Sequence, residues 1–326
     1  MGAMRVSREQ IVSYRLQVNR LGRRTAFDDA GLRAASHAGV QDSMPRAAVL
    51  SLHARLEGVR PDVLDDPRLE QVWGPKFSAY VVASGDRAPF TLGRLPRRGA
   101  RRERALRMAD DLRQFLDGRT MTYAEAGRAM GVDPNALRYG TLTGTIVIRW
   151  EGSGRPTVTS VEAPDVDEED ARHELARRFL HVFGPAKVDD FGQWAGVNAT
   201  EARTTFDELA SEVVPVETPL GDAVVLARDE TTLAHSTGRP EGVRLLPSGD
   251  ALYLLWGSQR ELFVADETRR PELWTPRVWP GALLVDGEIA GTWSRRGTKV
   301  AVDPWRTLTS DEQTAIDDEV ANLPLP

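Results

Sequence analysis

Between residues 8 and 21, apolar side chains recur at Ile11, Tyr14, Leu16, Val18 and Leu21 with arginines between them, the pattern of a helix that is wet on one face. Residues 28–38 continue as a second short helix ending at Gly39. Residues 45–57 give a third, in which Pro45 suits a first helical turn and Ala48, Leu52, Ala54 and Leu56 point inward. The period then changes. Residues 71–83 (QVWGPKFSAYVVA) place aromatic and β-branched side chains around Gly74-Pro75, which predicts a hairpin. Three helices followed by a hairpin make a winged helix.

The arrangement recurs twice. In residues 121–149, Thr122 can cap a helix from Tyr123 to Met130, Gly131 turns the chain, and a second helix over 134–142 leads into a strand over 145–150. Residues 167–183 make a helix stopped by Gly184-Pro185, followed by helices over 188–194 and 200–212. A hairpin of 213–218 with 223–226 then turns at Gly221. The corners match: Ala38-Gly39-Val40, Met130-Gly131-Val132 and Ala195-Gly196-Val197. Glycine suits a helix-turn-helix corner because the backbone there often has positive φ.

Beyond Asp229, short apolar runs at 243–246, 251–256, 262–265, 282–285, 288–293 and 299–302 are broken by glycine and proline. They predict a small antiparallel sheet or barrel. Thr309 and Glu312 form a capping box for a terminal helix over 308–323. The expected fold class is α+β: three tandem winged-helix (helix-turn-helix) units at 5–98, 99–162 and 163–236, then a small C-terminal antiparallel β-barrel-like domain with a terminal helix at 237–326.

Composition changes this picture mainly by exclusion. With 326 residues, 41% hydrophobic and 28% charged side chains and a mean hydropathy of -0.37, the chain is an ordinary globular one, not disordered or fibrous. No window approaches the ~18 to 20 apolar residues of a membrane helix, and no basic-then-apolar leader opens the chain, so a cytoplasmic protein is expected. The absence of cysteine removes disulfides, iron-sulfur clusters, thiolate zinc sites and thiol nucleophiles. The five histidines (His37, His53, His173, His181, His235) have no metal-binding spacing, so neither metal nor cofactor is expected. No GxSxG, P-loop or post-strand GxGxxG occurs.

The net charge of -6 hides an asymmetry: residues 1–150 carry +9 and residues 151–326 carry -15. A basic half on an acidic chain points to a polyanion held on one face. Its densest stretch holds Arg94, Arg97, Arg98, Arg101, Arg102, Arg104 and Arg107, relieved only by Glu103. A solvated linker with a helix start accounts for the same stretch equally well.

The stretch Gly39-Val40-Gln41-Asp42-Ser43-Met44-Pro45-Arg46-Ala47-Ala48 resembles the AlkZ-like DNA glycosylases. So do Arg177-Arg178-Phe179-Leu180, Gly184-Pro185-Ala186, Asp190-Phe191, Trp194, Leu245-Leu246-Pro247 with Asp250, Leu284-Val285-Asp286-Gly287 and Gly291-Thr292-Trp293. The resemblance runs nearly end to end. It implies three winged helices with a C-terminal β domain, and excision of bulky alkylated purines or unhooking of crosslinks in repair or genotoxin resistance.

The family's catalytic motif, Gln-x-Gln or Gln-x-Asp, falls on Gln41-Asp42-Ser43, and only its first position is kept. An N7- or N3-alkylated purine already carries positive charge and leaves without protonation. The protein then has to position a water and stabilise an oxocarbenium-like transition state, which oriented amides can do. Gln41 and Ser43 are the catalytic candidates. Asp42 is a substitute carboxylate, although a chain neighbour generally points elsewhere. The alternative is structural: Gln41 enters the helix, Ser43 caps it and Asp42 favours its N-terminus. The candidate DNA contacts are Arg46, Lys76, Arg97, Arg98, Arg101 and Arg102. The expected partner is double-stranded DNA, alkylated or crosslinked, bound by a monomer. The competing function is a winged-helix DNA-binding regulator without chemistry, which would dimerise to read two half-sites.

Overall fold

Local chemistry starts the first helix, Arg8–Val18. The Ser7 side chain accepts the Gln10 N–H at 3.1 Å, and the Gln10 side chain accepts the Ser7 N–H at 2.9 Å. Its buried face holds Ile11, Val12, Tyr14 and Leu16. The computed structural model describes residues 4–42, 46–150, 155–297 and 299–325, which fall into two units. The first comprises Met1–Asp66, Leu180–Lys187 and Glu212–Pro326; the second comprises Pro67–Phe179 and Val188–Ser211.

In the first unit, the Tyr14 hydroxyl donates to the His181 carbonyl, and the buried Arg15 guanidinium donates to the carbonyls of Phe183, Gly184 and Pro185. A charge taken out of water thus ties the first helix to a segment far away in sequence. Helix Asp29–Ala35 follows, its N-terminus capped by Asp28 accepting from Gly31 N at 2.7 Å. After Gly39 (φ 69°), Val40–Gln41 is extended and helix Ala47–His53 begins. The hairpin Val213–Thr218 and Gly221–Leu226 is joined in parallel by Met4–Arg5, a strand too short to leave any alternation in the sequence.

The C-terminal part of this unit is an open antiparallel sheet of Val243–Leu246, Gly281–Val285, Glu288–Arg296 and Lys299–Pro304, in chain order. Asp286 and Gly287 take positive φ (47° and 71°) in the two-residue turn between the second and third strands, as hairpin twist requires. Helix Ser310–Ala321 starts with the Thr309–Glu312 capping box and contributes Ile316 to a core with Leu245, Leu283, Val285 and Trp293. Two of the six expected strands are not strands. Residues 251–253 form a 3-10 turn begun by Asp250, and Gln259–Phe263 is a helix. Buried on all sides, such short apolar runs carry no period that tells strand from helix. Four strands remain, and they stay open instead of curling into a barrel.

In the second unit, hairpin Leu69–Trp73 and Ala79–Ala83 sits where the sequence places it. The arginine-rich segment enters a 17-residue helix, Ala100–Leu116, whose buried Ala105, Ala109, Leu112 and Leu116 keep helical spacing beneath the charges. Thr122 caps helix Tyr123–Ala129 through a capping box with Glu125. The helix expected over 134–142 is present as Pro134–Thr143, wound as a 3-10 helix. Strands Met121–Thr122, Thr157–Ser160 and Ile146–Arg149 form a small sheet. Helix Glu168–Phe183, most of which lies in this unit, packs Phe179 with Phe191, Trp194 and Phe206 from Val188–Ala195 and Ala199–Glu208. The fold is mixed α+β.

Candidate functional site

The motif segment is set by what flanks it. Gly39 turns the chain, and Gln41 lies extended with its carboxamide oxygen against the backbone of Gly249, so close that a Cβ there would come within 2.7 Å of it. Gly249 also has φ +80°, so glycine is required twice over. Arg46 takes a left-handed conformation (φ 68°) at the head of helix Ala47–His53. Ser43 lies outside the described residues.

Asp42 does not point into solvent. It is 4% exposed, and its Oδ1 accepts the Ala48 N–H at 3.0 Å, holding the first turn of the motif helix from six residues upstream. Burial pushes its pKa up to about 6, against the backbone hydrogen bonds of Ala48 and Ala47 and the charge of Arg46. His53, pushed down to about 4 by burial and then by Arg24, is neutral where Asp42 titrates.

A raised folded-state pKa makes Asp42 favour folding most below the ordinary value of 3.8, a contribution lost as pH rises through about 6. By linkage this is worth up to ~3 kcal/mol. Asp42→Asn keeps an oxygen for Ala48 without the charge. Urea unfolding should therefore show the variant gaining on the native chain as pH rises from about 4 to about 7.5; a pH-independent difference contradicts the burial of this carboxylate.

The far wall of the site is clamped by charge. Asp250, 1% exposed, accepts from Arg55 at 2.7 and 2.9 Å, from the Ser51 hydroxyl at 2.7 Å and from Leu252 N at 3.0 Å. Ser51 belongs to the motif helix, so this network fixes the helix to the 247–250 turn on which Gln41 rests. The first turns of the helix also face a mostly apolar cleft of about 590 Å³, walled by Ala47, Leu50, Val278, Trp279, Pro280 and Trp293, with Arg295 also in its lining.

The candidate DNA contacts Lys76, Arg97, Arg98, Arg101 and Arg102 belong to the second unit, whereas Gln41, Asp42 and Arg46 belong to the first. Lys76 is exposed, with positive φ (54°). Arg98 and Arg101 are exposed on the approach to, and the first turn of, helix Ala100–Leu116. Arg97 is ion-paired to Glu169 and Glu208 at 2.8 and 2.6 Å, and Arg102 is bidentate on Glu168. Glu169, His173 and Glu208 bring ligand atoms within 4.8 Å of one another, the one such group among the described residues, but Arg97 already occupies the two carboxylates. Sequence reasoning missed Phe77 and Tyr139, whose rings meet edge-on at 5.3 Å beneath several arginines. Lone aromatics in unlike segments leave no signal in the chain.

Three comparisons bear on this geometry. The family model described as DNA glycosylase AlkZ-like matches residues 34–324. A curated relative, the interstrand DNA cross-link repair glycosylase of Streptomyces sahachiroi, is 27% identical over 164 residues, covering 49% of this chain and 43% of its own length. Among solved structures, the Streptomyces sahachiroi DNA glycosylase AlkZ superposes with a TM-score of 0.78 over 99% of both chains at 18% identity.

Proposed function

Because the chain belongs to the AlkZ-like DNA glycosylase family, we propose that it binds double-stranded DNA and hydrolyses the N-glycosidic bond of bulky alkylated purines, as a monomer in the cytoplasm at the nucleoid. The observation that carries this reading is the family match over 34–324, which spans the Gln41 segment and both units. The left-handed corners at Gly39, Gly131 and Gly196 (φ 69°, 67° and 75°), each preceding a hairpin, support three tandem winged helices at 5–98, 99–162 and 163–236, with the β domain at 237–326. The mostly apolar cleft beside the motif helix supports a large, largely apolar substituent on the lesion.

In this mechanism the alkylated purine leaves as a neutral base. The Gln41 carboxamide, held by Gly249, orients a water toward C1' and opposes charge on the sugar with its dipole. Asp42, ionised above about pH 6, adds a negative charge at the head of the motif helix. Ser43 stands where the family carries a second amide or a carboxylate and offers only a hydroxyl. That departure favours a second reading, a winged-helix protein that binds DNA without cutting the bond.

Incubation with duplexes carrying N7-alkylguanine or a crosslink separates the two readings. Abasic sites, without protein trapped on DNA by borohydride, are expected of a water nucleophile; intact duplex means binding alone, and a mass in solution of twice the chain favours the regulator.

Binding should also be insensitive to sequence and steep in salt. If about five phosphates are neutralised, log K falls with log salt at a slope of roughly -4 to -5. Arg98→Ala with Arg101→Ala should flatten that slope, and a native protein with no salt dependence would rule out a phosphate-reading surface.

A further inference from the structure

The arginine-rich segment divides into a part neutralised by acids and a part that is not. Arg97, Arg102 and Arg107 pair with Glu169 and Glu208, Glu168, and Glu103. Arg94, Arg101 and Arg104 instead line, with Phe77, Tyr139 and Gly196, a cavity of about 360 Å³ with no acidic side chain among the described residues of its wall. Its size is at the small end of ordinary ligand sites, suited to one nucleotide and too narrow for a duplex.

Arg94 is the unusual member. It is 4% exposed, and it donates from Nε to the Ala195 carbonyl at 2.7 Å and from Nη1 to the Trp73 carbonyl at 3.0 Å. Among the described residues no carboxylate reaches it, whereas the buried Arg55 and Arg178 each hold one or more. Burial pushes its pKa down to about 9, the mark of a cation desolvated without a counterion. An anion entering the cavity would supply the missing charge.

The remaining wall offers a flat surface, a guanidinium backed by an aromatic ring. The Arg104 guanidinium lies 3.9 Å over the Tyr139 ring, and Arg94 and Arg138 lie 5.0 and 5.2 Å from the Phe77 ring. Aromatic faces and guanidinium planes are the surfaces on which unstacked bases rest. Gly196 keeps the wall thin: a Cβ there would sit 3.3 Å from the Lys76 backbone nitrogen and 3.7 Å from Arg94.

We propose that this cavity is a binding site for a single unstacked nucleotide, its phosphate held by Arg94 and Arg101 and its base resting on the Arg104 guanidinium plane that Tyr139 backs. The occupant is a nucleotide of a DNA strand or a free nucleotide, which share this chemistry. The site stands apart from the excision reading, since occupancy is measured by binding alone.

The test is equilibrium binding of the full chain to a fluorescent oligo(dT), with dTMP and inorganic phosphate as competitors. Tyr139→Ala and Arg104→Gln should each weaken binding by on the order of 10-fold, the usual scale for one stacked base. Tyr139→Phe should retain it, and Arg113→Ala, on the same helix, should leave it unchanged. Competition by dTMP that disappears in Tyr139→Ala assigns the site to a free nucleotide; failure of dTMP beside tight oligonucleotide binding assigns it to a strand. The proposal is overturned if Tyr139→Ala binds like the native chain, if Tyr139→Phe loses as much as Tyr139→Ala, if Arg113→Ala loses as much as Arg104→Gln, or if inorganic phosphate displaces the oligonucleotide at the concentrations where dTMP does.

Discussion

Replacing Gln41 with alanine is expected to lower base excision by on the order of 100-fold or more while leaving affinity for undamaged duplex unchanged, the scale for losing one preorganised polar group. The expectation rests on how the side chain is held. Its oxygen lies where a Cβ at Gly249 would come within 2.7 Å of it, so the absence of a side chain there leaves the amide room to be oriented before any substrate arrives. Single-turnover excision beside equilibrium binding gives the measurement. Equal loss of both would mean that Gln41 shapes the motif segment without acting on the bond. Ser43→Gln restores an amide at the family's second motif position and should raise the rate. A folded, DNA-binding Ser43→Gln protein that produces no abasic sites favours the binding-only reading.

The second large effect is on stability. Asp250→Ala should destabilise the fold by about 3 to 5 kcal/mol, because it leaves the Arg55 guanidinium buried without a partner. Burial alone would raise the Asp250 pKa, but the charge of Arg55 and the hydrogen bonds of Arg55, Leu252 and Ser51 hold it below its ordinary value. Its contribution is therefore present above the unfolded-chain pKa and lost as pH falls. Denaturant unfolding at neutral pH measures the cost. The double replacement Arg55→Met with Asp250→Leu removes both charges and should recover much of it, whereas a double variant as unstable as Asp250→Ala would show that the network itself, not the orphaned charge, holds the motif helix.

The elements legible in the sequence are those whose chemistry closes within a few residues. Thr122 with Glu125 and Thr309 with Glu312 satisfy a helix start across three positions, and Gly39, Gly131 and Gly196 supply positive φ at one. The hairpins at 69–83 and 213–226 announce themselves by composition and turn residues. Gln41 enters as a candidate only through the resemblance its neighbours carry. Tertiary structure decided the rest, because charges and buried apolar runs take their meaning from partners distant in the chain. Contact with Arg55, 195 residues earlier in the chain, made a solitary Asp250 into a clamp. Packing around Asp42 buried a carboxylate of a residue type that ordinarily stays in water. Seven arginines in one segment read as a single basic patch until the acidic side chains of residues 168, 169 and 208 neutralised some of them and left Arg94, Arg101 and Arg104 around a cavity. A sequence fixes where a charge sits along the chain; only the fold decides whether it meets an opposite charge, a ring or open space.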